Sequence, residues 1–481
     1  MPKKRSTRDG RRRVLLSIAA LAGTLIPGLS SAAAPPVAAS ATQAVAGRRK
    51  ITELIGSVGW PESEDDVRMW KNMGLTWGRD SVGPGFSPPP IHSLKIDMTG
   101  PGYDNELAPI LLRNNRNGIH SLLMLGYTPE WNASVANDIV SAPKDVQYWE
   151  RYVDAVVRRY STPPFNVKYF QIWNEASGPL AGGDPQSSFW HGPNYNEDRS
   201  RAKPYESAMR DYVERIHIPA AQIIRKYHAY VVYGGWPDQG GLDTYLQWLE
   251  FKSPAYGTRM LDWVDYLDIH YLGTPDLEVL YQRYVARGHA RGIWQTEIGD
   301  RYITNPHFLP GYLFELAVWA LGREWNDPDK YVTMIYHWDG YEDFRLTHRG
   351  PPKRTYNVSG TSLITLRKTV SGALAPFPHT LRFGPESEGK ALYSDDKIVV
   401  QVSAPPGWRS VEVSGLAAPG SGRFEVAFVD AINGVMQTKE HVNAAWTANT
   451  LSIRFEVPRL TNGPVDEAPR HLAYLVVTSL A

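Results

Sequence analysis

The stretch Tyr169-Phe170-Gln171-Ile172-Trp173-Asn174-Glu175 decides how this chain is read. A short apolar run of aromatic and branched residues has the length and composition of a buried strand. It stops abruptly at an amide beside a carboxylic acid, so both polar groups stand at the strand's mouth. A second stretch of the same design, Gly292-Ile293-Trp294-Gln295-Thr296-Glu297, follows further along the chain.

Working outward from these two, similar runs recur at Leu54–Val58, Thr76–Arg79, Ser121–Leu125, Tyr230–Gly234, Tyr266–His270 and Val332–His337, with the fourth and seventh spanning Val167–Trp173 and Gly292–Thr296. Helical periodicity fills the intervals at Glu64–Met73, Val146–Tyr160, Tyr205–Tyr227 and Gly311–Leu321. Eight strands alternating with helices predict an α/β fold, a (β/α)8 TIM barrel, over residues 51–372. A doubly wound open sheet is the structural alternative, and no glycine-rich phosphate loop supports it. Beyond residue 372 the texture changes. Runs at Ile398–Val402, Val411–Val413, Phe424–Val429, Leu451–Val457 and Leu472–Val477 alternate apolar and polar residues between Gly, Pro and Asn. Residues 373–481 therefore read as a C-terminal all-β sandwich.

In such a barrel, functional side chains cluster at the C-terminal ends of the strands. Strand two ends at Arg79-Asp80, strand four at Asn174-Glu175, strand six at His270-Tyr271, strand seven at Glu297 and strand eight at His337-Trp338-Asp339. Two carboxylic acids facing each other across a cleft suit glycosidic bond cleavage. About 5–5.5 Å apart they act as acid/base and nucleophile with retention, and at about 6.5–9.5 Å they admit water and invert. One acid must hold its proton while the other stays ionised, and Arg79 is the candidate partner of the ionised one. Arg79 as a structural partner of Asp80, His270 as a satisfied buried histidine and Trp338 as core are the plainer readings of those residues. Trp60 and Trp131 stand at the ends of strands one and three, where sugar stacking or core packing accounts for either. The long segment after Glu175, from Gly178 to Tyr205, carries Phe189, Trp190, His191 and Tyr195 and reads as a wall of the cleft. The acidic run Glu62, Glu64, Asp65 and Asp66 reads as a solvated helix start.

These motifs resemble glycoside hydrolase clan A, and most closely family 39. The resemblance covers about residues 51–345, and a trailing β-sandwich also suits that family. It implies Glu175 as general acid/base, Glu297 as nucleophile, Asn174 on the sugar 2-hydroxyl and Arg79 near the nucleophile. It further implies Gly126-Tyr127-Thr128-Pro129-Glu130-Trp131 as the strand-three loop, His270 as the strand-six histidine, and Trp338 as the floor of the glycone subsite. The strand-six motif often reads His-x-Tyr. Here it is His270-Tyr271-Leu272, so the tyrosine that touches the nucleophile is Tyr271 in shifted register or comes from elsewhere.

The N-terminus carries different information. Seven Lys and Arg before position 14 precede a short apolar run, Val14 to Ile26, and then small residues including Ala39-Ser40-Ala41. Residues 1–41 read as an export signal of the twin-arginine or general secretory type, followed by a tether at 42–50. The expected location is outside the cell or at its wall. The apolar run is too short to span a bilayer, so no lasting membrane insertion is expected. The whole chain carries +1, and without the signal about −5, with no basic tract to suggest nucleic acid. Cysteine is absent, which excludes disulfides and thiolate metal sites. The expected partner is an oligo- or polysaccharide, and no cofactor or metal is called for. The 16 Trp and 26 Tyr suit a sugar cleft and an aromatic core equally well. Oligomeric state is not legible. A family 5-like endoglucanase or mannanase, and a non-catalytic carbohydrate-binding wall protein, are the rival readings.

Overall fold

The computed structural model describes residues 54–82, 102–134, 142–176, 204–235, 241–323, 329–339, 342–350, 353–372, 374–394, 396–415, 423–434, 436–437, 441–458 and 470–479. The export segment and tether lie outside this set. So do Trp190 and nearly all of the expected cleft wall.

Eight parallel strands close into a barrel: β1 (Ile55–Val58), β2 (Trp77–Val82), β3 (His120–Leu125), β4 (Tyr169–Ile172), β5 (Tyr230–Val232), β6 (Tyr266–His270), β7 (Gly292–Ile298) and β8 (Tyr331–Ile335). The ring closes where Ile55 to Ser57 pair with Thr333 to Ile335. Between the strands run α1 (Glu64–Met73), α2 (Gly102–Arg116), α3 (Val146–Tyr160), α4 (Pro204–Tyr212), α5 (Ile218–Lys226), α6 (Gly241–Glu250), α7 (Thr274–Leu280) and α8 (Phe308–Leu321), with α9 (Val358–Thr369) after the barrel. The single helix expected over Tyr205–Tyr227 is two helices joined through a π turn at Val213–His217. No helix among the described residues is long and apolar enough to cross a membrane.

The acidic run is more than a solvated face. Ser63 caps α1 by accepting from the Asp66 amide, and the Asp66 carboxylate accepts from the Ser63 amide, both at 3.1 Å. Asp66 is buried and also takes the Arg354 guanidinium at 3.1 Å. This reciprocal box satisfies two donors that a helix start leaves free.

Inward-facing side chains stack in layers. The lowest holds Trp77, Tyr169, Tyr266 and Trp294, with ring centroids 4.9–5.2 Å apart for Trp294 against each of its three neighbours. The Trp294 indole N–H donates to the Asp329 carbonyl at 2.7 Å, so the polar end of this buried ring is satisfied. Above that layer the inward residues turn polar: Arg79, Gln171, Asp268 and Thr296 are all buried.

A β9–β10 ribbon (Thr347–His348, Thr355–Tyr356) precedes α9. The remaining chain forms two antiparallel sheets. One holds β11 (Ala375–Pro376), β13 (Glu388–Tyr393), β14 (Lys397–Ala404), β20 (His471–Ser479), β16 (Phe424–Asp430) and β17 (Met436–Gln437), in that order. The other runs β12 (Leu381–Phe383), β15 (Gly407–Ser414), β19 (Thr450–Val457) and β18 (Val442–Thr447). The six-stranded sheet meets the barrel along α8. Gln401 donates to the Pro310 carbonyl at 3.1 Å, Lys390 pairs with Glu315 at 2.9 Å, and Phe314 packs on Tyr474.

Candidate active site

The polar layers continue upward to the C-terminal mouth of the barrel, where the two glutamates meet. β7 carries the decisive local feature. Its register slips by one residue against both neighbours, between Asp268 and His270 on β6 and between Gln295 and Ile298 within β7 itself. A plain strand alternates its side chains between faces, so Thr296 and Glu297 could not both point inward. The extra residue of the bulge removes that restriction. Thr296 bonds to Asp268 while Glu297 reaches Arg79 across the barrel.

Glu175 arrives by a different route. β4 ends at Ile172, two residues before the expected Asn174-Glu175 end, and the chain turns sharply: Trp173 and Glu175 have φ of 67° and 51°. The Glu175 amide donates to the Gly234 carbonyl at 2.6 Å, tying the turn to the end of β5. Next to that tie, Gly235 has φ of +72°, and a Cβ there would stand 2.3 Å from His270 Nε2. Only glycine leaves room for the imidazole.

One carboxylate oxygen of Glu175, one of Glu297 and a ring nitrogen of His270 all lie within 4.8 Å of one another. Arg79 organises this cluster. Its Nη1 donates to Glu297 Oε1 at 2.7 Å, its Nε to Gln171 Oε1 at 2.7 Å and its Nη2 to Asn174 Oδ1 at 2.5 Å. Because Arg79 occupies the Asn174 oxygen, the amide's N–H groups are what Asn174 has left to offer, and Tyr127 is a partner of this side chain. The Tyr271 hydroxyl donates to Glu297 Oε2 at 3.2 Å. His270 Nδ1 lies 2.8 Å from Glu175 Oε1 and Nε2 lies 3.0 Å from the Thr296 hydroxyl, which donates onward to Asp268 at 2.7 Å.

The electrostatics follow from these contacts. Burial works against the charge on His270, but Glu297 and Asp268 outweigh it, and the imidazole is pushed up to about 10. Burial also works against ionised Glu297, yet His270 and Arg79 prevail and hold it below the usual carboxylate range. Burial, reinforced by Glu297, raises the Tyr271 phenol, so it remains a donor. Two carboxylates and an imidazole at this spacing are donors of the kind that hold a divalent cation. Here the Arg79 guanidinium already sits on Glu297, and both His270 nitrogens have protein partners.

Of the residues expected from sequence, Arg79, Asn174, Glu175, His270, Tyr271 and Glu297 meet in one cluster. Arg79 pairs with Glu297, and Tyr271 is the tyrosine on Glu297. Trp338 is a correction. It is 3% exposed, edge-on against Trp70 of α1 with ring centroids 5.7 Å apart, and the Arg354 guanidinium stands 4.0 Å from its ring centroid. A ring covered in this way cannot floor a sugar site. Trp60, also buried, joins the core. Trp131 stands 62% exposed on the turn after β3, its ring edge-on to Tyr148. Trp190 lies outside the described residues.

Three neighbours were given no role of their own in the sequence reading. Half-buried Tyr336, just past β8, packs against Tyr271 at 5.7 Å between ring centroids. Burial raises its phenol, and Glu297 and Glu175 add to the shift. Tyr127 is buried and paired with Asn174, and burial raises its phenol as well. Gln171 anchors Arg79 from within β4. Only the alternation of β4 hinted at it, since Tyr169, Gln171 and the barrel interior share a face.

No protein-family model matches the chain, and no curated protein matches it either. Solved structures do. A family 39 glycoside hydrolase from the gut symbiont Bacteroides cellulosilyticus WH2 is similar at 14% identity, with 89% of this chain and 82% of that one covered and a TM-score of 0.54. A GH30 endoxylanase from Clostridium papyrosolvens C71 is similar at 13% identity, covering 90% and 98%, with a TM-score of 0.53. The catalytic domain of GH30 xylanase C from Talaromyces cellulolyticus gives 10% identity, 89% and 98% coverage and a TM-score of 0.52. At these identities the likeness shows the fold, a TIM barrel with a β domain.

Proposed function

We propose that the chain is a secreted glycoside hydrolase that cleaves O-glycosidic bonds with retention of configuration. The observation that carries this reading is the close approach of Glu175 and Glu297, whose nearest carboxylate oxygens lie within 4.8 Å. That close approach favours direct attack, for which the carboxyl groups stand about 5–5.5 Å apart, over an inverting site, where about 6.5–9.5 Å between them admits a water. In this mechanism Glu297, kept ionised by Arg79 and His270, attacks the anomeric carbon while Glu175 gives its proton to the leaving oxygen. Water, deprotonated by Glu175, then releases the sugar from Glu297. An N–H of the Asn174 amide holds the 2-hydroxyl, a bond that strengthens in the transition state. Two cations, Arg79 and His270, face three carboxyl groups, Asp268, Glu175 and Glu297. Of these carboxyl groups Glu175 is the most exposed one, half-buried at the mouth, which suits it to reach the leaving oxygen.

The test uses both glutamates. Glu297→Ala is expected to lose about 10⁴-fold or more in kcat, the scale for removing a covalent nucleophile. Azide then restores turnover of an aryl glycoside by one displacement, giving the inverted glycosyl azide. Azide with Glu175→Ala gives the retained product, because two displacements remain. Full activity in Glu297→Gln would overturn the assignment. Export by residues 1–41 belongs to the same proposal, and N-terminal sequencing of protein recovered outside the cell tests it.

A further inference from the structure

The outer face of the four-stranded sheet carries chemistry that neither the barrel nor the sandwich core uses. Alternation on its strands is strict. Val411, Val413, Leu451, Ile453 and Phe455 are buried against the other sheet, while Trp408, Ser410, Glu412, Ser452 and Arg454 face outward. Strand register sets the outward residues in rows. Arg382 lies opposite Glu412, Glu412 opposite Ser452 and Ser452 opposite Ala445, with Ser410, Arg454 and Asn443 forming the next row. Among these outward side chains lies a groove of about 510 Å³.

Two observations give the groove a ligand. First, Trp408 lies on the same outer face one row beyond Ser410, 38% exposed. Among the described residues it is the one large apolar side chain exposed on the sandwich. Its ring is held by the Arg454 guanidinium, 4.7 Å from the ring centroid. The turn that presents it is pinned by Arg409, which donates to the carbonyls of Pro405 and Pro406 at 3.1 and 3.0 Å. Second, Arg382 and Glu412 face each other across the strands yet form no ion pair, and Asn443 has no side-chain partner among the described residues. Donors and acceptors of both signs thus stand unspent beside a fixed aromatic plane.

We infer that this face is a second glycan-binding site, taking one strand of a polysaccharide with a pyranose stacked on Trp408. Its hydroxyls meet Arg382, Glu412, Asn443 and Arg454. A flat indole beside mixed hydrogen-bonding groups matches the apolar face and the hydroxyl rim of a sugar ring. A protein partner would meet only one exposed large apolar side chain, where interfaces have an apolar core. Nucleic acid would need a basic stripe, and Glu412 and Glu456 interrupt this one. The choice of glycan rests on the glycosidase reading of the barrel.

The experiment is affinity electrophoresis of the full chain carrying Glu297→Gln, so that the ligand stays whole, through gels containing xylan, mixed-linkage β-glucan, galactomannan or polygalacturonate. At least one polysaccharide is expected to retard it. Trp408→Ala should weaken that retention roughly tenfold. Ala445→Arg, an exposed change that fills the groove, should do the same. Equal retention of all three proteins, or no retention by any polysaccharide, would overturn the inference. Hydrolysis of a glycan with no dependence of binding on Trp408 removes this site and leaves the barrel reading. Binding that depends on Trp408, with no glycan hydrolysed, does the reverse.

Discussion

The floor and the mouth of one barrel obey opposite rules. At the floor, Trp77, Tyr169, Tyr266 and Trp294 follow plain strand alternation and fill space with aromatic rings. At the mouth, alternation is broken by the β7 bulge, and Trp173, Glu175 and Tyr271 all take positive φ. Buried charge replaces buried apolar surface there, with Arg79 2.7 Å from Glu297 and His270 within 4 Å of both Glu297 and Asp268. Regular geometry at the floor maximises packing. Irregular geometry at the mouth costs stability and is maintained by the packed layers beneath. One strand set therefore supplies both the scaffold and the strain it supports.

That contrast can be broken from either end. Trp294→Ala empties the floor and is expected to destabilise by about 3–5 kcal/mol. Its kcat should stay near the parent value in the fraction that remains folded. A thermal melt paired with active-site titration checks this, and a large loss of kcat per folded molecule would mean that floor and mouth are not separable. Arg79→Met acts on the mouth. It strands buried Glu297 and is expected to cost about 3–5 kcal/mol as well as most of the activity, the signature of breaking a buried ion pair. Normal kcat in this variant would mean that Glu297 needs no cation.

Smaller effects sharpen the comparison. Gly235→Ala places a Cβ against the His270 ring and should lower kcat more than it lowers stability. An unchanged pH profile would show that His270 had kept its contacts with Glu175 and Glu297. His270 itself has its pKa raised to about 10 in the folded chain. The stability it contributes is present below its unfolded value near 6.5 and is lost as pH rises toward about 10. Glu297, lowered by folding, contributes above its ordinary 4.5 and loses that contribution as pH falls below it. Unfolding midpoints across this range should fall at both ends, and His270→Asn should remove the alkaline decline. The smallest effect belongs to Trp338→Phe. Because Trp338 is packed against Trp70 and beneath Arg354, the change should lower the melting midpoint slightly and leave KM alone. A large rise in KM would restore Trp338 to the cleft.

The sequence went furthest where one local pattern has one physical cause. Eight apolar runs separated by helical periodicity have few ways to bury their faces, so the barrel and its strand order were legible. The acids at strand ends four and seven were legible too, because a polar pair at the end of a buried run must lie at the barrel's mouth. Gln171, Tyr127 and Tyr336 were not, since each reads locally as an ordinary strand or turn residue. Trp338 failed for the complementary reason. A strand-end tryptophan satisfies the same local pattern whether it faces the cleft or α1. Which way it turns depends on Arg354 and Trp70, both far from it in sequence. The chain by itself determined the scaffold, the two glutamates and their order. Tertiary structure decided the bulge that turns Glu297 inward, the burial that sets the charges of His270 and Glu297, and the short gap to Glu175. Those quantities depend on groups brought together from β2, β4, β6 and β7, and no single segment of sequence contains them.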